Sequence, residues 1–127
     1  MSEVVLDASA ILAAVLHEPG GERIGQSKES LLVSTVNYAE VGSRLSDLGF
    51  EKSYLTKTVS MLGLQVVPFD IEQADNSAEL RADTRNAGLS LGDRACLALA
   101  ASRGAVALTA DRAWQRLDLP IEIEQLR

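Results

Sequence analysis

Residues 4–16, VVLDASAILAAVL, place one carboxylate, Asp7, between two apolar runs. The first run has the length and composition of a buried strand, and the second continues with helical spacing, so the joint between them falls at the aspartate. An ionised carboxylate carried toward an apolar interior loses several kcal/mol of hydration unless something pairs with it. Asp7 therefore needs a partner.

Working outward, the same strand-then-helix alternation recurs. Val4 to Leu6 predicts a first strand, and Ser9 to Leu16 a helix that stops near Pro19-Gly20-Gly21. Leu31 to Val33 predicts a second strand. Ser34 or Thr35 can cap the next helix, whose Tyr38, Val41, Leu45 and Leu48 form one apolar stripe before Gly49. Glu51 to Leu62 predicts another helix, Leu64 to Val67 a strand, and Ile71 to Asn86 a long polar helix closed by Gly88. Ser90 can cap a small-residue helix through Ala101, and Ala105 to Leu108 reads as a strand. Asp111 opens a helical turn, and Ile121 to Ile123 is a candidate edge strand. Short apolar strands separated by helices predict a mainly parallel sheet covered on both faces. Nothing resembling a linker divides residues 1–127, so a single domain is expected.

Composition narrows the function classes. Hydrophobic content of 46% and charged content of 24% are those of a folded chain rather than a disordered one. The start, MSEVVLD, lacks a secretion signal, and no apolar run approaches the roughly 20 residues of a membrane span. A cytoplasmic protein with no membrane partner is expected. The single cysteine, Cys96, lies in ACLALAA and reads as a small buried hydrophobe. One Cys and one His, His17, exclude the usual zinc sites, and His17 has no nucleophile motif beside it. No phosphate-binding loop or dinucleotide fingerprint is present.

Ligands of parallel sheets bind beyond the carboxyl ends of the strands. Asp7 and Asp111 follow two predicted strands, and Asp93 stands in the first turn of the helix SLGDRACLALAA. Periodicity leaves Glu40 undecided between this edge and an ordinary solvated position. Each acid also has a simpler role, as a helix cap, a first-turn charge or a surface residue. Their shared setting favours convergence, and converging carboxylates repel one another unless a cation holds them. Hard oxygen donors suit Mg²⁺ or Mn²⁺.

Four segments carry a family resemblance: VVLDASAILA with Asp7, TVNYAE with Glu40, LSLGDRACLALA with Asp93, and ALTADRAW with Asp111. In this order and over nearly the whole chain, the sequence resembles a PIN-domain ribonuclease of the VapC-like toxin type. The resemblance implies a three-layer α/β/α fold and Mg²⁺- or Mn²⁺-dependent cleavage of RNA by the quartet Asp7, Glu40, Asp93 and Asp111. It also matches Ser9 and Thr109 to hydroxyl positions beside the site, where they would orient ligands, although both can equally serve as caps. A cognate antitoxin covering the acidic crevice and a homodimer are implied as well. Candidate dimer faces are the helices around Tyr54 to Leu62 and Ile71 to Leu80.

Bound carboxylates and metal would orient a water in line with phosphorus and leave 5′-phosphate and 3′-hydroxyl ends. The net charge of −6 runs against a nucleic-acid binder, but the four site acids contribute to it, and a bound cation reverses the local sign. Arg94 and Arg112, each directly after a site acid, are candidate RNA contacts, with Arg44, Lys52 and Lys57 as a possible basic rim. Two other readings compete: a catalytically silent module of the same fold that binds RNA or protein, and a phosphoryl-transfer enzyme with Asp7 as nucleophile. The second lacks a further acid two residues beyond Asp7.

Overall fold

The computed structural model describes residues 2–127. Strands β1 (Glu3–Leu6), β2 (Ser30–Ser34), β3 (Leu64–Val67), β4 (Val106–Thr109) and β5 (Ile123–Gln125) form one sheet in the order β3-β2-β1-β4-β5. Every pairing is parallel. The helices are α1 (Ala8–Val15), α2 (Glu22–Gly25), α3 (Thr35–Asp47), α4 (Ser53–Leu62), α5 (Ile71–Thr84) and α6 (Leu91–Arg103). Two 3-10 turns, Arg85–Ala87 and Arg112–Arg116, complete the order. The first three strands build one flank outward from β1, and β4 and β5 build the other. The winding therefore reverses between β1 and β4, and the space beyond their carboxyl ends is where parallel sheets of this kind bind ligands.

Alternating strand residues feed two cores, as the period of two requires. Val4, Leu6, Leu31, Val33 and Leu108 pack with Ile11 of α1, Val41 and Leu45 of α3, and Leu55 and Val59 of α4. Val5, Leu32 and Ala107 pack on the opposite face with Leu97 and Leu99 of α6, Leu80 of α5 and Trp114. The result is the three-layer α/β/α arrangement. In α6, Ala95 to Ala100 are buried without interruption. The sheet and α5 lie against this helix, so it needs no solvent-facing stripe there, and its Ala and Cys side chains allow close approach. The buried positions of α5 are correspondingly polar, namely Gln73, Ser77 and Thr84.

Several expectations shift in detail. Leu48 is 45% exposed, and Asn37 takes the inward place on α3 together with Val41 and Leu45, at spacings of four. The α4 helix begins at Ser53 rather than Glu51, and α5 gives way to the 3-10 turn after Thr84, whose hydroxyl bonds back to Leu80 O. Strand β4 starts at Val106 and includes Thr109, while β5 lies two residues beyond the expected Ile121. Its position is drawn along by Leu126, whose N–H donates to Thr109 O at 2.7 Å. The short α2 was not expected; it is fixed by one buried apolar residue, Ile24. His17 directly follows Leu16, the C-cap of α1, with φ 57°, in the left-handed region that ends many helices.

Leu55, Val59 and Leu62 of the expected dimer face pack onto the first core, and Leu80 onto the second. Met61 and Ile71 are the exposed apolar residues there, at 67% and 78%. Among the described residues, no helix is long and apolar enough to cross a membrane.

Candidate functional site

Asp7 ends β1 and caps α1. Its backbone N–H donates to Leu108 O across the β1–β4 seam, and its side-chain Oδ1 accepts from Ala10 N at 3.0 Å. The cap is only part of its environment. Ser9 Oγ donates to the same oxygen at 2.6 Å, and Thr109 Oγ1 donates to Oδ2 at 2.7 Å. Asp7 is 4% exposed, and burial pushes its carboxyl up to about 6, against the three donors that favour the charged form. The nearby charge of Asp93 pushes it further in the same direction.

Ser9 and Thr109 are not simple caps. Ser9 Oγ accepts from Ala110 N at 2.9 Å, and Thr109 Oγ1 accepts from Asp111 N at 3.0 Å. Each hydroxyl thus takes a backbone proton from the segment after β4 and gives its own to Asp7. The two hydroxyls themselves are 3.3 Å apart.

Asp93 stands in the first turn of α6 and closes a capping box: Ser90 Oγ accepts from Asp93 N, and Asp93 Oδ2 accepts from Ser90 N, at 3.1 and 3.0 Å. Glu40 reaches this turn from α3. The space a Cβ at residue 92 would fill holds the Glu40 carboxylate, so Gly92 is the cradle that lets it lie over α6. Burial of that end raises the Glu40 pKa, a hydrogen bond from Asn37 lowers it, and the Asp93 charge raises it again. The exposed remainder of Glu40 accounts for its ambiguous sequence pattern.

Asn37 is the residue that sequence reasoning missed. It is 1% exposed, and its Nδ2 donates to Glu40 Oε1 at 2.9 Å and to Gly92 O at 3.0 Å, tying α3 to α6. Its Oδ1 has no partner among the described residues. A polar residue in line with Val41 and Leu45 at successive spacings of four, three before Glu40, was the available signal.

Asp7, Glu40 and Asp93 therefore share one electrostatic environment, and all three raise the pKa of Cys96, buried within α6. Asp111 is peripheral. It is exposed, and its Oδ1 accepts from Ala113 N at 2.9 Å as the cap of the second 3-10 turn. Among the described residues, no group of three or more His, Cys, Asp and Glu side chains is arranged to hold a metal ion. The donor set nevertheless fits a hard divalent cation, because Mg²⁺ commonly takes one or two carboxylates and keeps several waters. Arg94 is half-buried and turned toward α5, with Nη1 donating to Ser77 O at 3.0 Å, whereas Arg112 is exposed.

The fold is shared with solved structures. DNA-bound VapBC from Salmonella typhimurium superposes with a TM-score of 0.75 at 21% identity, covering 100% of both chains. VapBC2 from Rickettsia felis, bound to a promoter DNA fragment, gives 0.72 at 17% identity over 97% of this chain and 98% of that one. VapC20 from Mycobacterium tuberculosis, described as a sarcin-ricin loop cleaving toxin, gives 0.72 at 16% identity over 88% and 92%. A search of curated proteins by sequence finds no match. The PIN domain profile matches residues 4–119, which takes in all four acids, and the chain belongs to the PIN domain family.

Proposed function

We propose that the chain is a Mg²⁺- or Mn²⁺-dependent endoribonuclease, the toxin of a toxin–antitoxin pair. The observation that carries this reading is that the charge of Asp93 acts on both Asp7 and Glu40, with each of the three acids held by dedicated partners. A buried carboxyl raised to about 6 is costly to retain for structure alone.

In this reading Asp7, Glu40 and Asp93 hold the ion, and Asp111 contributes through water. The ion, when bound, lowers the pKa of a water and offsets charge on the departing 3′ oxygen. The chain's own residues do the positioning. Ser9 and Thr109 fix both oxygens of Asp7, Asn37 fixes Glu40 against Gly92, and Ser90 fixes Asp93. Arg112, exposed beside Asp111, meets an RNA phosphate in this reading.

The toxin assignment draws on the likeness to the Salmonella, Rickettsia and Mycobacterium proteins. A cognate antitoxin, a homodimer, a single domain and a cytoplasmic location follow from the same reading. The competing interaction module rests on one observation, that Asp93 and Asp111 both satisfy caps within their own turns.

Incubation of purified protein with total RNA and Mn²⁺, followed by sequencing of 5′-phosphate ends, separates the two. Discrete ends that vanish in Asp7→Asn support the nuclease. RNA retained intact under every divalent ion supports the module.

A further inference from the structure

A groove of about 380 Å³ opens between the two 3-10 turns, with Asp83, Asn86, Arg116 and Asp118 as its polar lining and Ala87, Ala113 and Leu117 as its apolar one. Among the described residues, none of those four polar side chains is engaged in a side-chain hydrogen bond or an ion pair. The ion pairs that do form, Arg23–Glu124, Arg103–Glu3 and Arg127–Glu18, use other parts of the chain.

The groove adjoins one acid of the candidate site. Ala113 donates its N–H to Asp111 Oδ1, so one wall begins at a site acid. In sequence, Ser90 of the box that holds Asp93 follows Ala87 by three residues. Arg85 and Arg112 are exposed at the groove's edges in sequence, and either can meet a phosphate.

From this arrangement we infer that the groove is a nucleobase subsite selecting guanine next to the cleaved bond. The inference rests on the ribonuclease reading and deepens it. Single-stranded RNA is read by splaying out a base and hydrogen-bonding its edges. Guanine presents two acceptors, O6 and N7, on one edge and two donors, N1–H and N2–H₂, on another. A guanidinium matches the first edge in bidentate fashion, and a carboxylate matches the second. The groove supplies both, Arg116 for the acceptors and Asp83 or Asp118 for the donors, while the small side chains of Ala87 and Ala113 leave room for a planar ring. Adenine lacks the second acceptor for Arg116, and uracil offers a carboxylate only one donor.

The test uses hexanucleotides of RNA with one guanine, or with adenine, inosine or 7-deazaguanine in its place. Binding is read by fluorescence anisotropy in Ca²⁺ at fixed salt, and cleavage separately in Mn²⁺. Guanine should bind about tenfold tighter than adenine, and loss of N2 or of N7 should each remove several-fold. Arg116→Ala and the double variant Asp83→Asn/Asp118→Asn should each flatten the preference while leaving the thermal transition in place. Equal affinity for all four oligonucleotides, or a guanine preference that survives in both variants, overturns the subsite. Cleavage without guanine preference removes the subsite and keeps the nuclease. Guanine preference without cleavage removes the nuclease and keeps the subsite, and absence of both binding and cleavage removes both.

Discussion

Thr109 Oγ1 donates to Asp7 Oδ2 at 2.7 Å, joining β4 to β1 between residues 102 positions apart in the chain. Thr109 is wholly buried and also accepts from Asp111 N, so one hydroxyl serves two site acids. Thr109→Val keeps the shape and removes the hydroxyl. Leaving buried polar groups without partners costs about 1–3 kcal/mol, so the variant should be destabilised by that order at pH 7. In an Asp7→Asn background the penalty should shrink. A double-mutant cycle by urea unfolding measures the coupling, and additive effects would rule it out.

Asp7→Asn should abolish metal-dependent cleavage yet raise stability at neutral pH. Between its ordinary value of 3.8 and about 6, the folded protein keeps on Asp7 a proton that the unfolded chain has released. Stability therefore falls as pH rises through that window and stays lowered above it. At 1.36 kcal/mol per unit the contribution is on the order of 2–3 kcal/mol, and Glu40, also raised, adds to it in the same direction. Unfolding free energies at pH 4.5 and 7 should differ less in the variant than in wild type. An unchanged difference would remove Asp7 as the source.

Gly92→Ala separates the site from the fold. Alanine is the better helix residue by roughly 1 kcal/mol, and the atoms its Cβ would meet are the far end of the Glu40 side chain. Expected, then, are a thermal transition that is level or raised and a large loss of cleavage, because Glu40 is displaced from Asp93. A substantial fall in Tm with activity retained would show that Gly92 serves helix packing alone.

Divalent cation should stabilise the protein through this cluster. At a hundredfold excess over Kd the gain is about 2.7 kcal/mol. Asp7 must lose its proton to bind, so the Mn²⁺-induced shift in Tm should be larger at pH 7.5 than at pH 5.5. Ca²⁺ should shift the curve without supporting cleavage. Differential scanning fluorimetry across the two pH values reads this directly, and a shift preserved in Asp7→Asn would place the cation elsewhere.

Much of the fold was legible because apolar runs and breakers report burial locally. Leu64 to Val67 is a strand with the bounds its sequence predicts, Ser90 is the cap its position predicts, and Ser34 is one of the two caps offered for α3. The segments that moved are those whose placement depends on distant partners. Strand β5 is set by Leu126 bonding to Thr109, which nothing in residues 121–127 encodes. The site divides in the same way. Asp7 and Asp93 stand out by their apolar surroundings, whereas Asn37 and Gly92 acquire meaning only when α3 crosses α6. Leu48 misled because a periodic stripe does not say where its covering partner ends.

Cys96 lies within α6, fully buried, and its thiol is pushed well above the usual range by burial and by the charges of Asp7, Asp93 and Glu40. A thiol so shielded is inert toward alkylating reagents in the closed protein and reacts only when the helix lifts from its neighbours. Its labelling rate is thus a clock for that lifting, built into the wild-type sequence without an added reporter. A cation or protein that clamps α3 against α6 should slow that clock, and one that docks elsewhere should leave its rate unaltered.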